Sequence, residues 1–400
     1  MNKYSKLSLA DKLTFHEERL KAPSKINSII SAQATTVCIR NIKQAAAHQL
    51  AGVNVHLLHS GNAPNDFYGY GNEFYASITR VHKKIKLNWA RKITSLAHNT
   101  SAQLIHTHNE PDLLPMHMMM AETGIPVIYD QHDFLSGKKK SLRHPLEIHE
   151  RYCNENNDGA IFITDYYRDL VSKKYRINPL NISYPNYGSR HLLVSEADQL
   201  PKLSAATGKT HIVYEGALDD QHPGITRYLV SHIQKLSDMG FHVDLYPSKN
   251  EEYLEYKKMK NVRVFEKHKP TDLMKQLTQY DFGLTLVNTE SVNMPDELRF
   301  GFWNKTFDYL LAGIPQISLE MFDVSADFIR NNNYGIVVKT LSELKDHAGF
   351  SPTAIDDMQA NILRDRESYT TEVRSQQMHQ FYQDVLQNFH QRKIQDLSSH

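Results

Sequence analysis

Residues 302–317 read FWNKTFDYLLAGIPQI, and this stretch predicts a helix that runs directly into a buried strand. The helical pattern predicts a helix over 303–312, and Asn304 is of a type that caps helix N-termini. Gly313 is expected to end it, and a strand is expected over 316–319. The apolar positions that would face the core are Phe307, Leu310 and Leu311.

Two charged residues of this stretch suggest a binding site. Lys305 and Asp308 are three positions apart and therefore share one face of the helix near its start. A helix N-terminus with a lysine favours an anion such as phosphate, and a carboxylate one turn later can accept hydrogen bonds from ribose hydroxyls. The alternative is a capped core helix whose charges are simply solvated.

The same alternation of short apolar runs and amphipathic segments extends along the chain. In the first half, strands are predicted at Thr36–Ile39, Val53–Leu58, Gln103–His106, Pro126–Tyr129 and Gly159–Ile163, with helices at Ile42–Ala51, Lys86–Ala97, Leu113–Glu122 and Leu146–Asn156. In the second half, strands are predicted at His211–Tyr214, His242–Tyr246, Val262–Phe265, Phe282–Val287 and Gln316–Leu319, with further helices at Ile225–Met239 and Thr271–Tyr280. Alternation of this kind indicates βαβ units and parallel sheets, so the expected class is α/β with two Rossmann-like domains.

We predict an N-terminal extension over 1–34, a first domain over 35–190, a second over 205–350 and a helical segment over 351–400. The polar stretch Tyr187–Ala206 is expected to be the linker. Two parallel sheets in tandem predict a ligand site at the carboxyl ends of the strands, in a cleft between the domains.

Bulk composition excludes several classes of protein. The 46 Lys and Arg residues against 45 Asp and Glu leave a net charge of +1, so no global field recruits nucleic acid. Two cysteines, neither in a CxxC pair, exclude a disulfide framework and a cysteine-rich zinc module. No apolar run predicts a signal peptide or a transmembrane helix, so we expect a cytoplasmic protein.

Glycine placement argues against the simplest nucleotide-binding alternatives. The turn after the first predicted strand, Arg40–Gln44, contains no glycine, and Gly216 with Gly224 does not make the GxGxxG pattern of dinucleotide-binding domains. A P-loop is also absent from the sequence. A nicotinamide-dependent dehydrogenase or a P-loop ATPase is therefore not expected.

The 302–317 stretch resembles the P-x-K-x-x-E-Y-L-A-x-G-x-P-V-I segment of glycosyltransferases of family 4 and their relatives. By that resemblance, Asp308 stands for the second Glu of the family's E-x7-E motif, which holds the donor ribose, and Lys305 lies by the phosphates. Asn304 joins them as a donor-binding residue. The first Glu of the motif is replaced by Phe300, and Glu297 or Asp296 is the carboxylate expected to cover its role.

Two strand ends in the first half resemble the same family. They are Leu104–Asp112, LIHTHNEPD, and Pro126–Asp133, PVIYDQHD. The resemblance places His132 and Asn109 at the reacting centre, and His106, His108 and Asp133 along the cleft that receives the acceptor. His106 and His108 could together hold a metal, but no third ligand follows at a telling spacing, so we predict no metal.

A third similarity concerns Ile212–Leu218, IVYEGAL, which resembles the Y-x-G-x-L strand that opens the family's donor domain. Gly216 would let the backbone approach a phosphate, and Arg227 is the candidate for a second phosphate ligand. Weaker similarities at Gly159–Leu170 and Pro185–Gly188 extend the ordered set over roughly residues 35–345.

The resemblance implies a GT-B fold whose sheets face each other across a cleft and whose C-terminal helices cross back onto the first domain. It also implies a retaining, metal-independent glycosyltransferase of polysaccharide biosynthesis that uses a UDP- or GDP-linked sugar, no other cofactor, and a glycan or lipid-linked acceptor. Two alternatives stay open: a pseudo-enzyme that binds sugars or serves as a scaffold, motivated by Phe300, and a nucleotide-sugar epimerase on the same fold.

A basic cluster suggests one further partner. It spans Arg80–Lys86 and continues with Trp89, Arg91 and Lys92, with Lys138–Lys140 as a potential extension. Basic residues interleaved with apolar ones are typical of a helix on an anionic membrane, although solvated helix faces are commoner. The family resemblance favours peripheral attachment to a membrane.

Overall fold

The computed structural model describes residues 25–81, 88–109, 112–121, 123–138, 143–290 and 296–398, without the side chains of residues 88–91, 137–138, 143–144, 296–297 and 397–398. The chain forms two compact units. Unit 1 comprises Met1–Phe162, Val171–Ser183 and Ser375–His400, and unit 2 comprises Ile163–Leu170 and Tyr184–Arg374.

Unit 1 is built on a seven-stranded parallel sheet in the order β3-β2-β1-β4-β5-β6-β7. Its strands are β1 (Ser28–Gln33), β2 (Asn54–His59), β3 (Ser77–Arg80), β4 (Leu104–His108), β5 (Val127–Gln131), β6 (Gly159–Phe162) and β7 (Asn181–Ser183). Its helices are α1 (Ile39–Leu50), α2 (Pro64–Tyr68), α3 (Asn88–Asn99), α4 (Leu113–Met120), α5 (Leu135–Lys138) and α6 (Arg143–Asn156), and α7 (Asp165–Ser172) runs from unit 2 into unit 1. Strands β1, β4, β5 and β6 are buried along their whole length, as expected of a parallel sheet covered on both faces.

Unit 2 is built on a six-stranded parallel sheet in the order β10-β9-β8-β11-β12-β13. Its strands are β8 (His211–Gly216), β9 (His242–Pro247), β10 (Val262–Val264), β11 (Phe282–Thr285), β12 (Gln316–Leu319) and β13 (Gly335–Val338). Its helices are α8 (Leu203–Thr207), α9 (Val230–Asp238), α10 (Leu254–Lys257), α11 (Pro270–Leu277), α12 (Asp296–Arg299), α13 (Asn304–Ala312), α14 (Asp323–Asn331) and α15 (Pro352–Asp365). Both sheets have the strand order of doubly wound folds, which confirms the prediction of two Rossmann-like domains.

The last helix, α16 (Thr371–Ser398), begins in unit 2 and belongs to unit 1 from Ser375 onward. Its Tyr382 hydroxyl lies 3.1 Å from His48 Nε2 and 2.6 Å from His106 Nδ1. A Cβ on Gly159 of β6 would lie 2.5 Å from Val385 and 2.9 Å from Phe381, so this position requires a glycine. The predicted return of the C-terminal helix to the first domain is thus confirmed.

The prediction of the first strand at Thr36–Ile39 is wrong, because that strand lies earlier in the chain. β1 occupies Ser28–Gln33, inside the stretch expected to precede the domain, and Ile39 already begins α1. The strand was missed because its buried polar residues weaken its apolar signal. Ser31, for example, donates a hydrogen bond to Asn41 Oδ1 at 2.8 Å.

Two other boundaries differ from the predictions. The helix expected from Ile225 begins at Val230, since residues 223–227 form turns instead. Tyr187–Ala206, expected to be a linker, belongs to unit 2, and its Leu192 and Val194 are buried in that unit's core. No helix in the described part of the chain is long and apolar enough to cross a membrane.

Candidate functional site

In unit 2, Lys305 and Gly216 lie side by side. Gly216 ends β8 with φ +127°, a conformation that side chains other than glycine's rarely permit. A Cβ placed there would lie 3.8 Å from Lys305 Nζ. Lys305 is in the first turn of α13, and its ammonium group lies 3.8 Å from the centroid of the Tyr214 ring. A cation, a helix N-terminus and a bare strand end therefore converge at one point, which is the arrangement that binds phosphates.

Tyr309 fixes the orientation of α13 and hence the position of Lys305. It lies four residues after Lys305, on the same side of the helix, and is fully buried. Its hydroxyl accepts a hydrogen bond from the Glu215 backbone N–H at 3.1 Å. Its ring packs on β11, where a Cβ on Gly283 would lie 2.3 Å from the ring. Neither Tyr309 nor Gly283 was singled out in the sequence, although the Tyr–Leu–Leu–Ala–Gly run contains the tyrosine.

The other residues predicted on α13 are close but arranged differently from the expectation. Asn304 is the first residue of the helix and not its cap: Trp303 occupies the N-cap position, with no side-chain capping bond. The predicted capping role is therefore wrong, because the helix begins at Asn304 itself, one residue earlier than a cap at this position requires. Asp308 is half-buried, one turn after Lys305.

The loop after β8 is ordered by side-chain bonds. Asp219 Oδ1 accepts hydrogen bonds from the backbone N–H groups of Gln221 and His222 at 2.9 and 2.7 Å. The buried Asn288 donates to the carbonyl oxygens of Pro223 and Ile225 at 2.8 and 3.0 Å. Arg227 lies exposed on this loop, before α9, and the contacts described for it do not join its side chain to Lys305 or Gly216.

The position of the family's first glutamate has a different chemistry here. The Phe300 ring stacks on Tyr166 with centroids 5.8 Å apart and planes 10° apart. The Arg299 guanidinium lies 5.3 Å from the same ring. The Phe300 carbonyl accepts a hydrogen bond from Thr164 at 3.1 Å. The side chain of Glu297, the proposed substitute, lies outside the described residues.

In unit 1, the predicted histidines gather around one carboxylate that the sequence reading did not select. Asp130, in β5, pairs in register with His108 of β4 and is fully buried. Its Oδ2 accepts hydrogen bonds from Arg40 Nε at 2.8 Å, Gln44 Nε2 at 3.2 Å and His106 Nε2 at 3.2 Å. Alternation along the Tyr–Asp–Gln–His run places Asp130 and His132 on one side of the strand, which is the signal that could have found it.

His106 and His108 do lie on one side of β4, with stacked rings 4.5 Å apart. His106, His108 and Asp130 each offer one atom of a type that binds metal ions, and these three atoms lie within 4.8 Å of one another. The spacing of the histidines in the sequence did not reveal the third residue. Asp130 Oδ2 already receives three hydrogen bonds, one of them from a guanidinium, so the charge of this carboxylate is compensated within the protein. Burial lowers the pKa of both histidines, that of His108 well below its ordinary value.

His132 lies just beyond β5, as predicted, and its side chain is 12% exposed. Its Nδ1 lies 3.9 Å from Asp130 Oδ1. Burial opposes protonation, but the Asp130 carboxylate and the Cys38 thiol together raise the pKa of His132 to about 10. A raised pKa favours the protonated imidazole, which can donate hydrogen bonds to a ligand.

Asn109 has a positioning role in this structure. It is fully buried, and its Oδ1 accepts hydrogen bonds from the backbone N–H groups of His132 and Asp133, both at 3.2 Å. Its Nδ2 donates to the Asp133 carbonyl at 2.5 Å. Asn109 thus fixes the position of the segment that carries His132. The hydrogen bonds between Asn109 and Asp133 use the backbone of Asp133. Residues 82–87 of the basic cluster, with Lys139 and Lys140, lie outside the described residues.

Comparison with known families and structures agrees with this architecture. Residues 35–184 match the model of Glycosyltransferase Family 4, and residues 229–379 match that of the Glucosyltransferase 3-like, C-terminal domain. Together the two matches span about three quarters of the chain. No curated protein matches its sequence significantly.

Solved structures with the same fold include a sucrose-phosphate synthase from Thermosynechococcus elongatus, with 13% identity, a TM-score of 0.66 and coverage of 90% of this chain and 99% of that one. Anabaena HepE, in complex with UDP and glucose, has 11% identity and a TM-score of 0.64, covering 94% and 100% of the two chains. A glycosyltransferase from Rickettsia africae has 10% identity and a TM-score of 0.63, covering 90% and 99%. These matches do not favour a pseudo-enzyme or an epimerase, and the chain carries two glycosyltransferase family domains on a GT-B fold.

Proposed function

We propose that this enzyme transfers a sugar from a nucleoside-diphosphate donor whose diphosphate binds at Gly216, Lys305 and the start of α13. The observation that carries the proposal is the 3.8 Å approach of Lys305 Nζ to the space that a Gly216 side chain would fill. A phosphate oxygen in that space would meet the ammonium group near the N-terminus of the helix. The ring of Tyr214 keeps the ammonium close by until a ligand draws it away.

These groups suit the chemistry of glycosyl transfer. As the bond between the sugar C1 and the diphosphate oxygen breaks, negative charge grows on the leaving diphosphate. A lysine and oriented backbone N–H groups stabilise that charge more strongly in the transition state than in the bound donor. Asp308, one turn after Lys305, would accept hydrogen bonds from the ribose hydroxyls. Arg227, exposed on the loop after β8, is the proposed second phosphate ligand.

Uracil is the proposed base of the donor. HepE, which shares the fold over 93% of this chain, is described in complex with UDP-glucose. That support is structural and distant, at 14% identity. The proposed acceptor is a glycan or a lipid-linked saccharide, and the proposed reaction is retaining and independent of metal. The proposed location is the cytoplasm, and the support for all three is the family resemblance. Attachment to an anionic membrane through the basic cluster belongs to the same proposal.

The donor site is tested by calorimetry with UDP, GDP and uridine. We expect Lys305→Met to weaken UDP binding about 10- to 100-fold, as for loss of a charge-assisted hydrogen bond of about 1.5–3 kcal/mol. Uridine affinity should not change, because the lysine contacts phosphate alone. The matched control is Lys275→Met, which removes an exposed lysine of α11 in the same unit. Equal UDP affinity in the two variants would exclude Lys305 from the donor site.

A further inference from the structure

A chain of four hydrogen bonds joins the C-terminal helix α16 to the strands that carry the histidines of unit 1. His379 Nε2 lies 2.9 Å from His48 Nδ1, and His48 Nε2 lies 3.1 Å from the Tyr382 hydroxyl. The same hydroxyl lies 2.6 Å from His106 Nδ1, and His106 Nε2 lies 3.2 Å from Asp130 Oδ2. All five residues belong to unit 1.

The protons of this hydrogen-bond chain can be placed by starting at Asp130. Its Oδ2 also accepts from Arg40 Nε at 2.8 Å, so it is an ionised carboxylate that only accepts, and His106 Nε2 must carry a proton. Two alternatives then remain for His106 Nδ1. It either accepts the hydroxyl proton of Tyr382, which leaves the imidazole neutral, or it donates to the hydroxyl oxygen as an imidazolium.

The surroundings of His106 favour the neutral imidazole. The residue is 1% exposed, and burial lowers its pKa. The positive charges of Arg40 and His132 lower the pKa of His106 further, and Asp130 only partly offsets these effects. Since the guanidinium of Arg40 already compensates the carboxylate, a second cation beside it is not required.

We propose that Tyr382 is a positioning residue for the site in unit 1: its hydroxyl donates to His106 Nδ1 and holds that imidazole as the neutral Nε2–H donor to Asp130. Asp130 Oδ1 lies 3.9 Å from His132 Nδ1, so Tyr382 acts on His132 through two other side chains. The relevance to catalysis rests on the proposed function, in which His132 lines the reacting centre.

The other end of the chain fixes the hydroxyl itself. A hydroxyl has one proton, so an oxygen that donates to His106 accepts from His48 Nε2, and His48 Nδ1 then accepts from His379 Nε2. Both histidines must be neutral for this order. Burial lowers the pKa of His48 well below its ordinary value, and it also lowers the pKa of His379. Tyr382 is therefore held from two sides, and its ring is fully buried.

Several other titratable groups face this chain. Those around His106 are Asp130, Arg40, His132, His108 and His48, and Lys25 acts on His379. Tyr382→Phe removes none of these groups and keeps the buried ring. A change in the pKa of His106 in this variant therefore reports on the hydroxyl group alone.

The test is a pH titration of the full chain, labelled with ¹⁵N in its histidine rings and followed by NMR between pH 5 and 8. The signals of His106 are assigned from their loss in His106→Gln. The wild type should carry a proton on Nε2 and none on Nδ1 at pH 7. A hydrogen bond to the neutral form disfavours the charged form, so we expect Tyr382→Phe to raise the pKa of His106 by about 0.5–1.

The matched control is Tyr175→Phe. Tyr175 is a buried tyrosine of the same unit whose hydroxyl donates to Glu150 Oε2 at 2.8 Å, so its loss should leave the pKa of His106 unchanged. A fall in the pKa of His106 in Tyr382→Phe would overturn the proposal, because a charged His106 would then have lost an acceptor. An unchanged pKa would also overturn it and would leave Tyr382 with a packing role alone.

The wild-type spectrum decides the matter even if Tyr382→Phe does not fold, since a proton on His106 Nδ1 at pH 7 is incompatible with a hydroxyl that donates to it. The titration is made without donor or acceptor. Failure to bind UDP or to transfer a sugar would therefore count against the proposed function and leave the role of Tyr382 intact.

Discussion

Replacing Asp130 with asparagine should strongly destabilise unit 1. The change removes a carboxylate that is fully buried and 2.8 Å from the guanidinium of Arg40, whose side chain is 4% exposed. In the variant, Gln44 and His106 face a neutral amide in place of the carboxylate that accepts their hydrogen bonds. Breaking a buried ion pair by removing one partner costs about 3–5 kcal/mol, a factor of roughly 10²–10⁴ in the ratio of folded to unfolded protein.

The assay is urea unfolding followed by circular dichroism, with calorimetry to check whether the units unfold together. The matched control is Asp169→Asn, whose carboxylate is 61% exposed and pairs with Arg168 at 3.1 Å. An exposed pair contributes about 0–1 kcal/mol, so the control should barely shift the midpoint. Equal losses in the two variants would refute the view that Asp130 organises this cluster.

Two further predictions concern a buried acid and a buried glycine. Burial raises the pKa of Asp112 to about 7, so the unfolded chain loses this proton near its ordinary value while the folded protein keeps it. Stability should therefore fall as the pH rises from about 4 to 7, by at most roughly 4 kcal/mol, and Asp112→Asn should remove that decline in urea titrations at pH 4.5 and 7.5. Gly283→Ala, whose Cβ would lie 2.3 Å from the Tyr309 ring, should cost about 1–3 kcal/mol and weaken UDP binding by displacing Lys305. Gly224→Ala, with nothing within 4 Å of the new Cβ, is its control, and unchanged UDP affinity in Gly283→Ala would argue against the positioning role of Tyr309.

The fold could be predicted from the sequence because the strands of a parallel sheet covered on both faces are continuous apolar runs. Leu104–His108 and Val127–Gln131 could be located to within a few residues for that reason. β1 was misplaced because serine and glutamine interrupt its apolar sequence and find partners only in the folded unit. The edge strands β3 and β7 were not predicted, since they are short and only partly buried.

Site residues could be predicted from the sequence where they directly follow strands. They could not be predicted where their hydrogen-bond partners come from distant segments of the chain. His132, Asn109 and Gly216 lie at predicted strand ends, and Lys305 lies in the first turn of a helix that Gly313 ends. Arg40 meets Asp130 across 90 residues, and Tyr382 meets His106 across 276. The local sequence pattern contains no information about such pairs, so the partners of Asp130 and His106 could not be predicted from it.

The crossing of α16 has a consequence for the order of events during synthesis. Residues 375–398 complete unit 1, yet the ribosome makes them after all of unit 2. At about 5–20 residues per second, the roughly 200 intervening residues take on the order of 10–40 s to translate. Throughout that interval His48 and His106 lack the Tyr382 hydroxyl, and the surface around Gly159 lacks Phe381 and Val385. Unit 1, most of which is synthesised first, is thus completed last. Its surface around Gly159 stays exposed in the meantime and would be accessible to a chaperone that binds nascent chains.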